Sequence, residues 1–134
     1  MIPVIDFTSE TVLDEIREAY TTVGFAVFTD TLSRKDQDTM KEWWKLMQGF
    51  FELPQEVKSR YKYQAENNLG YSIVGAENVD PTAPKDMKES FNYNNTRMPN
   101  ELWPAGVDNF KDTALESIRI ADELTLRILE KFDT

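Results

Sequence analysis

The chain opens with "IPVIDF" (residues 2–7), where β-branched Val4 and Ile5 predict a short strand and Pro3 is tolerable at its start or on an edge. Over residues 10–24, "ETVLDEIREAYTTVG", the period changes to that of a helix. Val12, Leu13, Ile16, Ala19, Tyr20 and Val23 share one face, while Asp14, Glu15, Arg17 and Glu18 form the wet one. Thr8 and Ser9 are available as N-caps, and Gly24 is a natural stop. "FAVFTD" (residues 25–30) predicts a second apolar strand. Ser33 and Asp36 then form a weakened capping box, with Asp where Glu or Gln is preferred. In the helix they open, Met40, Trp43, Trp44, Met47 and Phe51 recur at i, i+3, i+4, i+7 and i+11, a wide aromatic stripe that predicts core. Pro54 suits the first position of a short helix carrying Val57 and Tyr61 on one face.

From residue 64 to 109 the pattern loosens as Pro, Gly and Asn accumulate. "LGYSIV" (69–74) and "KESFNYN" (88–94) remain as short strand candidates separated by a loop. The last segment, "VDNFKDTALESIRIADELTLRILEKF" (107–132), predicts a long helix. Phe110, Ala114, Ile118, Ala121, Ile128 and Phe132 trace one stripe that Leu115, Leu124 and Leu129 widen, as expected of a helix packed against more than one element. Its pattern runs to Phe132 without Gly, Asn or Pro to terminate it, which implies that the helix leads on into further chain. The fold class expected is α+β: one domain over 1–134, with strand, helix, strand, helix, helix in 1–63, a loop-rich part with two short strands in 64–109, and the long helix in 110–134.

Composition narrows the chemistry. An apolar fraction of 40% suits a folded domain despite a net charge of -9. With 24 Asp and Glu against 15 Lys and Arg, and no basic stripe, nucleic acid is not an expected partner. No run of about 18 apolar residues occurs and the N-terminus does not resemble a signal peptide, so no membrane association and a cytoplasmic location are expected. The absence of cysteine removes disulfides and thiol nucleophiles. The absence of histidine removes Ser-His-Asp triads and the two-histidine, one-carboxylate iron site. The Asn94-Asn95-Thr96 sequon reads as a chance match.

Taken in order, "IPVIDF", "GFAVF", "FFELPQEVKSRY", "LGYSIVG", "KESFNYN" and "LWP" resemble the N-terminal region of the isopenicillin N synthase-like family of non-haem Fe(II), 2-oxoglutarate-dependent dioxygenases. The resemblance covers essentially the whole chain. It implies a helix-rich N-terminal domain whose few short strands would normally extend a double-stranded β-helix, with the long helix leading toward that catalytic barrel. Two departures stand out. The Asn-His-Gly common in the family after the second strand is replaced by "TDTLS". The His-x-Asp and distal His that bind iron, and the Arg-x-Ser that holds 2-oxoglutarate, have no counterpart in this chain.

On this resemblance the chain contributes scaffold and substrate pocket, carries no catalytic residue or metal ligand and binds no cofactor itself, with Fe(II) and 2-oxoglutarate implied for the parent enzyme. The expected partners are a small-molecule substrate and a C-terminal catalytic barrel, in the same polypeptide or a separate one. The strand matching "KESF" crosses the mouth of that barrel in the family, which makes Asn92 the first candidate for substrate contact, followed by Tyr71 and Ser90. The structural alternatives are a turn cap or a solvent-facing side chain for Asn92 and packing for Tyr71. Trp103 and Pro104 read as a packing anchor, Lys58 and Arg60 as solvated, Asp36 and Asp38 as a helix start, and Glu15 and Glu18 as a wet surface. The competing function is a stand-alone, non-catalytic α+β interaction module that covers its apolar face by self-association or with a partner.

Overall fold

The computed structural model describes residues 1–78 and 80–133. Its elements are β1 (Val4–Asp6), α1 (Val12–Thr22), β2 (Val27–Thr29), α2 (Arg34–Phe51), α3 (Gln55–Lys58), a 3-10 turn (Ser59–Tyr61), β3 (Gly70–Ser72), β4 (Ser90–Asn92), a second 3-10 turn (Asn100–Leu102) and α4 (Phe110–Phe132). The α+β class holds: helices dominate, the strands form two separate two-stranded sheets, and no closed barrel is present among the described residues. Thr134, included in the expected final helix segment, lies outside the described residues. The chain divides into two compact units, Met1–Thr39 with Arg119–Thr134, and Met40–Ile118.

In the first unit β1 and β2 pair in parallel, with Ile5 opposite Phe28, and α1 forms the connection between them. Ile5, Phe7, Val12, Ile16 and Ala19 form its core, with Ala26, Phe28 and Ile128 against them. The expected caps of α1 differ. Asp6 captures Thr8, its Oδ1 accepting from the Thr8 N–H at 2.8 Å and hydroxyl at 2.6 Å, so the N-cap position passes to Thr11. At the other end Gly24 has φ +82, and its N–H and that of Val23 both donate to the Ala19 carbonyl, a left-handed stop that only Gly adopts freely. Half of the expected capping box forms: the Asp36 N–H donates to Ser33 Oγ, while the Asp36 carboxylate accepts from Arg119 at 2.8 Å instead of reaching back.

The second unit is organised by aromatic rings, and here the expected stripe on α2 is only partly core. Trp43 and Phe50 are buried, whereas Trp44 is 67% exposed and Met40, Met47 and Phe51 are half-buried. The buried face runs along Trp43, Leu46 and Phe50 (i, i+3, i+7), to one side of the most apolar line, because that is where the other rings meet it. Phe50 is fully buried, with ring centroids 5.0 Å from Phe91, 5.7 Å from Phe110, 5.9 Å from Tyr71 and 6.2 Å from Tyr61. Leu102, Trp103 and Pro104 are all buried, consistent with the expected anchor.

Helix α4 also departs from its expected stripe. Phe110 and Ala114 are buried as predicted, but Ser117 and Ile120 are buried as well, while Ala121 and Phe132 are exposed. Ser117 is invisible to an apolar pattern, yet it sits inside because its hydroxyl donates to the Ala114 carbonyl and lies 3.1 Å from the Tyr93 hydroxyl.

Phe50→Ala is expected to cost about 3–5 kcal/mol, since it empties the centre of the ring cluster, and Trp44→Ala no more than about 0.5 kcal/mol. Urea denaturation of the two variants checks this; a Trp44→Ala loss equal to that of Phe50→Ala would contradict the assignment of the core face.

Candidate functional site

Strands β3 and β4 are antiparallel, with Gly70 opposite Asn92, Tyr71 opposite Phe91 and Ser72 opposite Ser90. Directly opposed residues share a face and successive ones alternate, so Tyr71 lies with Phe91 on one side while Asn92 and Ser90 lie on the other. The structure therefore brings Asn92 and Ser90 to a common face and sends Tyr71 to the core. Gly70 is required at its position: φ is +102, and a Cβ there would stand 2.9 Å from the carbonyl oxygens of Tyr61 and Lys62.

On the core side Tyr71 is 2% exposed and its hydroxyl donates to Glu89 Oε2. The same carboxylate oxygen accepts from Lys58 Nζ at 2.7 Å, and Nζ also donates to the Phe51 carbonyl at 2.9 Å. Lys58, expected to be solvated, is in fact buried, because Glu89 and the Phe51 carbonyl satisfy its ammonium inside the protein. Burial works against the Lys58 charge, but the Glu89 hydrogen bond and charge outweigh it and hold this lysine above its ordinary range. Burial likewise opposes the Glu89 charge, and hydrogen bonds from Lys58 and Tyr71 overcome it, holding the carboxyl below its ordinary range. Burial, then the Glu89 contact, push the Tyr71 phenol up. Nothing local in the sequence signals this triad, because Lys58 and Glu89 are 31 residues apart. Arg60 is exposed as expected.

On the opposite side Asn92 borders a polar pocket of about 430 Å³, shared with Asn67, Asn68, Asn94, Tyr93 and Arg97 among others. Asn92 is half-buried, and its Nδ2 donates to Asn68 Oδ1 at 3.3 Å. Ser90 donates to Glu77 Oε1 at 3.3 Å and does not line this pocket. A second groove, of about 600 Å³, follows Met40, Trp44, Met47 and Phe51 along α2 and is almost wholly apolar.

Among the described residues no three of His, Cys, Asp and Glu converge as metal ligands, and with no histidine in the chain its own residues do not fit the iron site of the family it resembles.

The triad sets a pH dependence of stability. A depressed Glu89 contributes stability above about pH 4.3 that is lost as pH falls through its folded value, and raised Lys58 and Tyr71 contribute stability below about pH 10 that is lost as pH rises through theirs. A plateau between about pH 5 and 9 with losses on both sides is expected in thermal melts. Lys58→Met is expected to cost about 1–3 kcal/mol on the plateau by taking the cation from half-buried Glu89 and leaving it only the Tyr71 hydrogen bond, with the deficit shrinking as pH falls and Glu89 protonates. A deficit independent of pH would contradict the pairing.

A family model described as non-haem dioxygenase in morphine synthesis N-terminal matches residues 2–109. Among solved structures, a full-length Neurospora crassa protein in complex with alpha-KG is 26% identical, with a TM-score of 0.76 over 97% of this chain and 45% of that one. The same protein with alpha-KG and thymine is 26% identical, with a TM-score of 0.73 over 92% of this chain and 45% of that one. This chain thus spans less than half the length of the protein it superposes on. No curated protein matches it. The α+β order of short strands and helices, the hairpin bearing Asn92 and the match over residues 2–109 lead to one assignment: the chain belongs to the non-haem dioxygenase N-terminal domain family.

Proposed function

We propose that this domain is the scaffold and substrate-pocket portion of an Fe(II)- and 2-oxoglutarate-dependent oxygenase that oxidises a small molecule. The observation that carries the reading is the superposition of 97% of the chain on one part of a protein crystallised with alpha-KG, which is 2-oxoglutarate. Iron and 2-oxoglutarate would be held by a catalytic barrel supplied by further chain or by a separate one, and supply oxygen activation when bound. This domain's residues bind and orient. Asn92, on the solvent side of the β3–β4 pair, contacts substrate. Ser90 borders the same face more weakly, and Tyr71 acts from behind by fixing the hairpin through Glu89.

Exposed apolar side chains support a covering partner. Leu126 and Leu129 are 61% and 56% exposed in the first unit, and Trp44 stands out from the second, more apolar surface than singly scattered residues require. The setting we propose is the cytoplasm, where a chain without cysteine is at home. No described helix is long and apolar enough to cross a membrane.

Anaerobic addition of Fe(II) and 2-oxoglutarate to the natural gene product is expected to give the visible charge-transfer colour of a ferrous 2-oxoglutarate chelate, and the same addition to the 134-residue chain alone to give none. A natural product that stays colourless under these conditions would sink the oxygenase reading and leave a non-catalytic interaction module in its place.

A further inference from the structure

The side chains beside Asn92 leave more amide N–H groups than amide oxygens without a partner among the described residues. Asn94 Oδ1 accepts from the backbone N–H groups of Thr96 and Arg97 at 2.8 and 2.7 Å. Asn67 Oδ1 accepts from the Leu69 N–H at 3.0 Å, and Asn67 Nδ2 donates to Gln64 Oε1 at 2.6 Å. A backbone N–H can meet only the oxygen end of an amide, so both oxygens are turned toward the chain. Asn68 Oδ1 is occupied too, by the Tyr63 hydroxyl at 2.9 Å and by Asn92 Nδ2. What these side chains leave for a ligand are nitrogens: the Asn68 and Asn94 amide groups, the second N–H of Asn92, and the guanidinium of Arg97, which has no carboxylate partner among the described residues. Asn92 Oδ1 is the one amide oxygen of the four still open.

Charge points the same way. In a chain with 24 acidic residues, none of the pocket's lining residues is Asp or Glu. The net charge of -9 repels anions at a distance, but at physiological salt that repulsion is screened beyond about 8 Å, so the local donors decide what is held. A planar guanidinium fork in the same lining as amide N–H groups matches the two oxygens of a carboxylate. We infer that this pocket is the subsite for a carboxylate-bearing substrate, with Arg97 as the ion-pair partner and Asn68, Asn92 and Asn94 as flanking donors. The inference rests on reading this face as the substrate wall and adds the substrate's chemical class.

The test is nuclear magnetic resonance titration of the isotopically labelled full chain with benzoate and with its neutral isostere benzamide. Benzoate is expected to shift the side-chain amide signals of Asn68, Asn92 and Asn94 saturably, and benzamide to bind at least about tenfold more weakly, as the loss of a charge-assisted contact requires. Arg97 is exposed, so Arg97→Gln leaves folding intact; it is expected to weaken benzoate about tenfold and to leave benzamide unchanged. Arg97→Lys, which keeps the charge and loses the fork, should fall between them. Equal affinity for the two probes, indifference of benzoate to Arg97→Gln, or shifts confined to the apolar groove on α2 would each overturn the inference. The outcome is separable from that of the oxygenase reading. A natural product that forms the coloured chelate but shows no Arg97-dependent benzoate binding overturns only the subsite, and the converse overturns only the oxygenase.

Discussion

The second unit depends on the contacts of one ring, Phe50, with rings from four other elements, three of them within 6 Å. It is fully buried, and edge-to-face or tilted contacts at 5.0 to 5.9 Å join it to Phe91 of β4, Phe110 of α4 and Tyr71 of β3. Each strand of the hairpin is three residues long, and a two-stranded sheet of that length is not stable in water by itself. Packing against a helix supplies what the ladder lacks, and Phe50 is the residue of α2 that reaches both strands. The hairpin's position is therefore set by ring packing, and the orientation of Asn92 follows from the strand alternation.

A second constraint acts from the same side. The Lys58–Glu89–Tyr71 cluster links α3, the residue before β4 and β3 through charge-assisted hydrogen bonds in a poorly solvated place. Such a cluster adds little net stability over an apolar one, but once two of its members are present the third is hard to remove. Its effect here is directional: it pins the β4 entry next to β3, from the strand face opposite Asn92. One face of the hairpin thus carries the buried core contacts, and the other carries Ser90 and Asn92, which bond to Glu77 and Asn68.

Much of this was legible in the sequence where local pattern decides the outcome. Gly24 ends α1 and Ser33 starts α2, each because turn or cap chemistry acts within a few residues, while the strands expected over 69–74 and 88–94 form only at Gly70–Ser72 and Ser90–Asn92. The ordered motifs were equally readable, and the match over residues 2–109 agrees with the family they resemble. What was not legible depends on distant partners. Phe50 lay beside the strongest apolar line of α2 rather than on it, and only the positions of Phe91 and Phe110 select its face. Lys58 looked like a surface lysine because Glu89 is far away in sequence. Arg97 and the three asparagines that flank Asn92 were visible as polarity, but the imbalance of donors over acceptors arises only once backbone N–H groups have taken the amide oxygens.

On the proposed reading this domain is one wall of a site whose reactive half lies in other chain. The decisive measurement is the intact mass of the natural gene product, isolated from its source cells with whatever remains bound to it. Either a single polypeptide of about 30 kDa or more, or a stable complex with a second chain at least one domain in size, is expected. A product at the 15.6 kDa of this sequence that purifies with no other chain would contradict it.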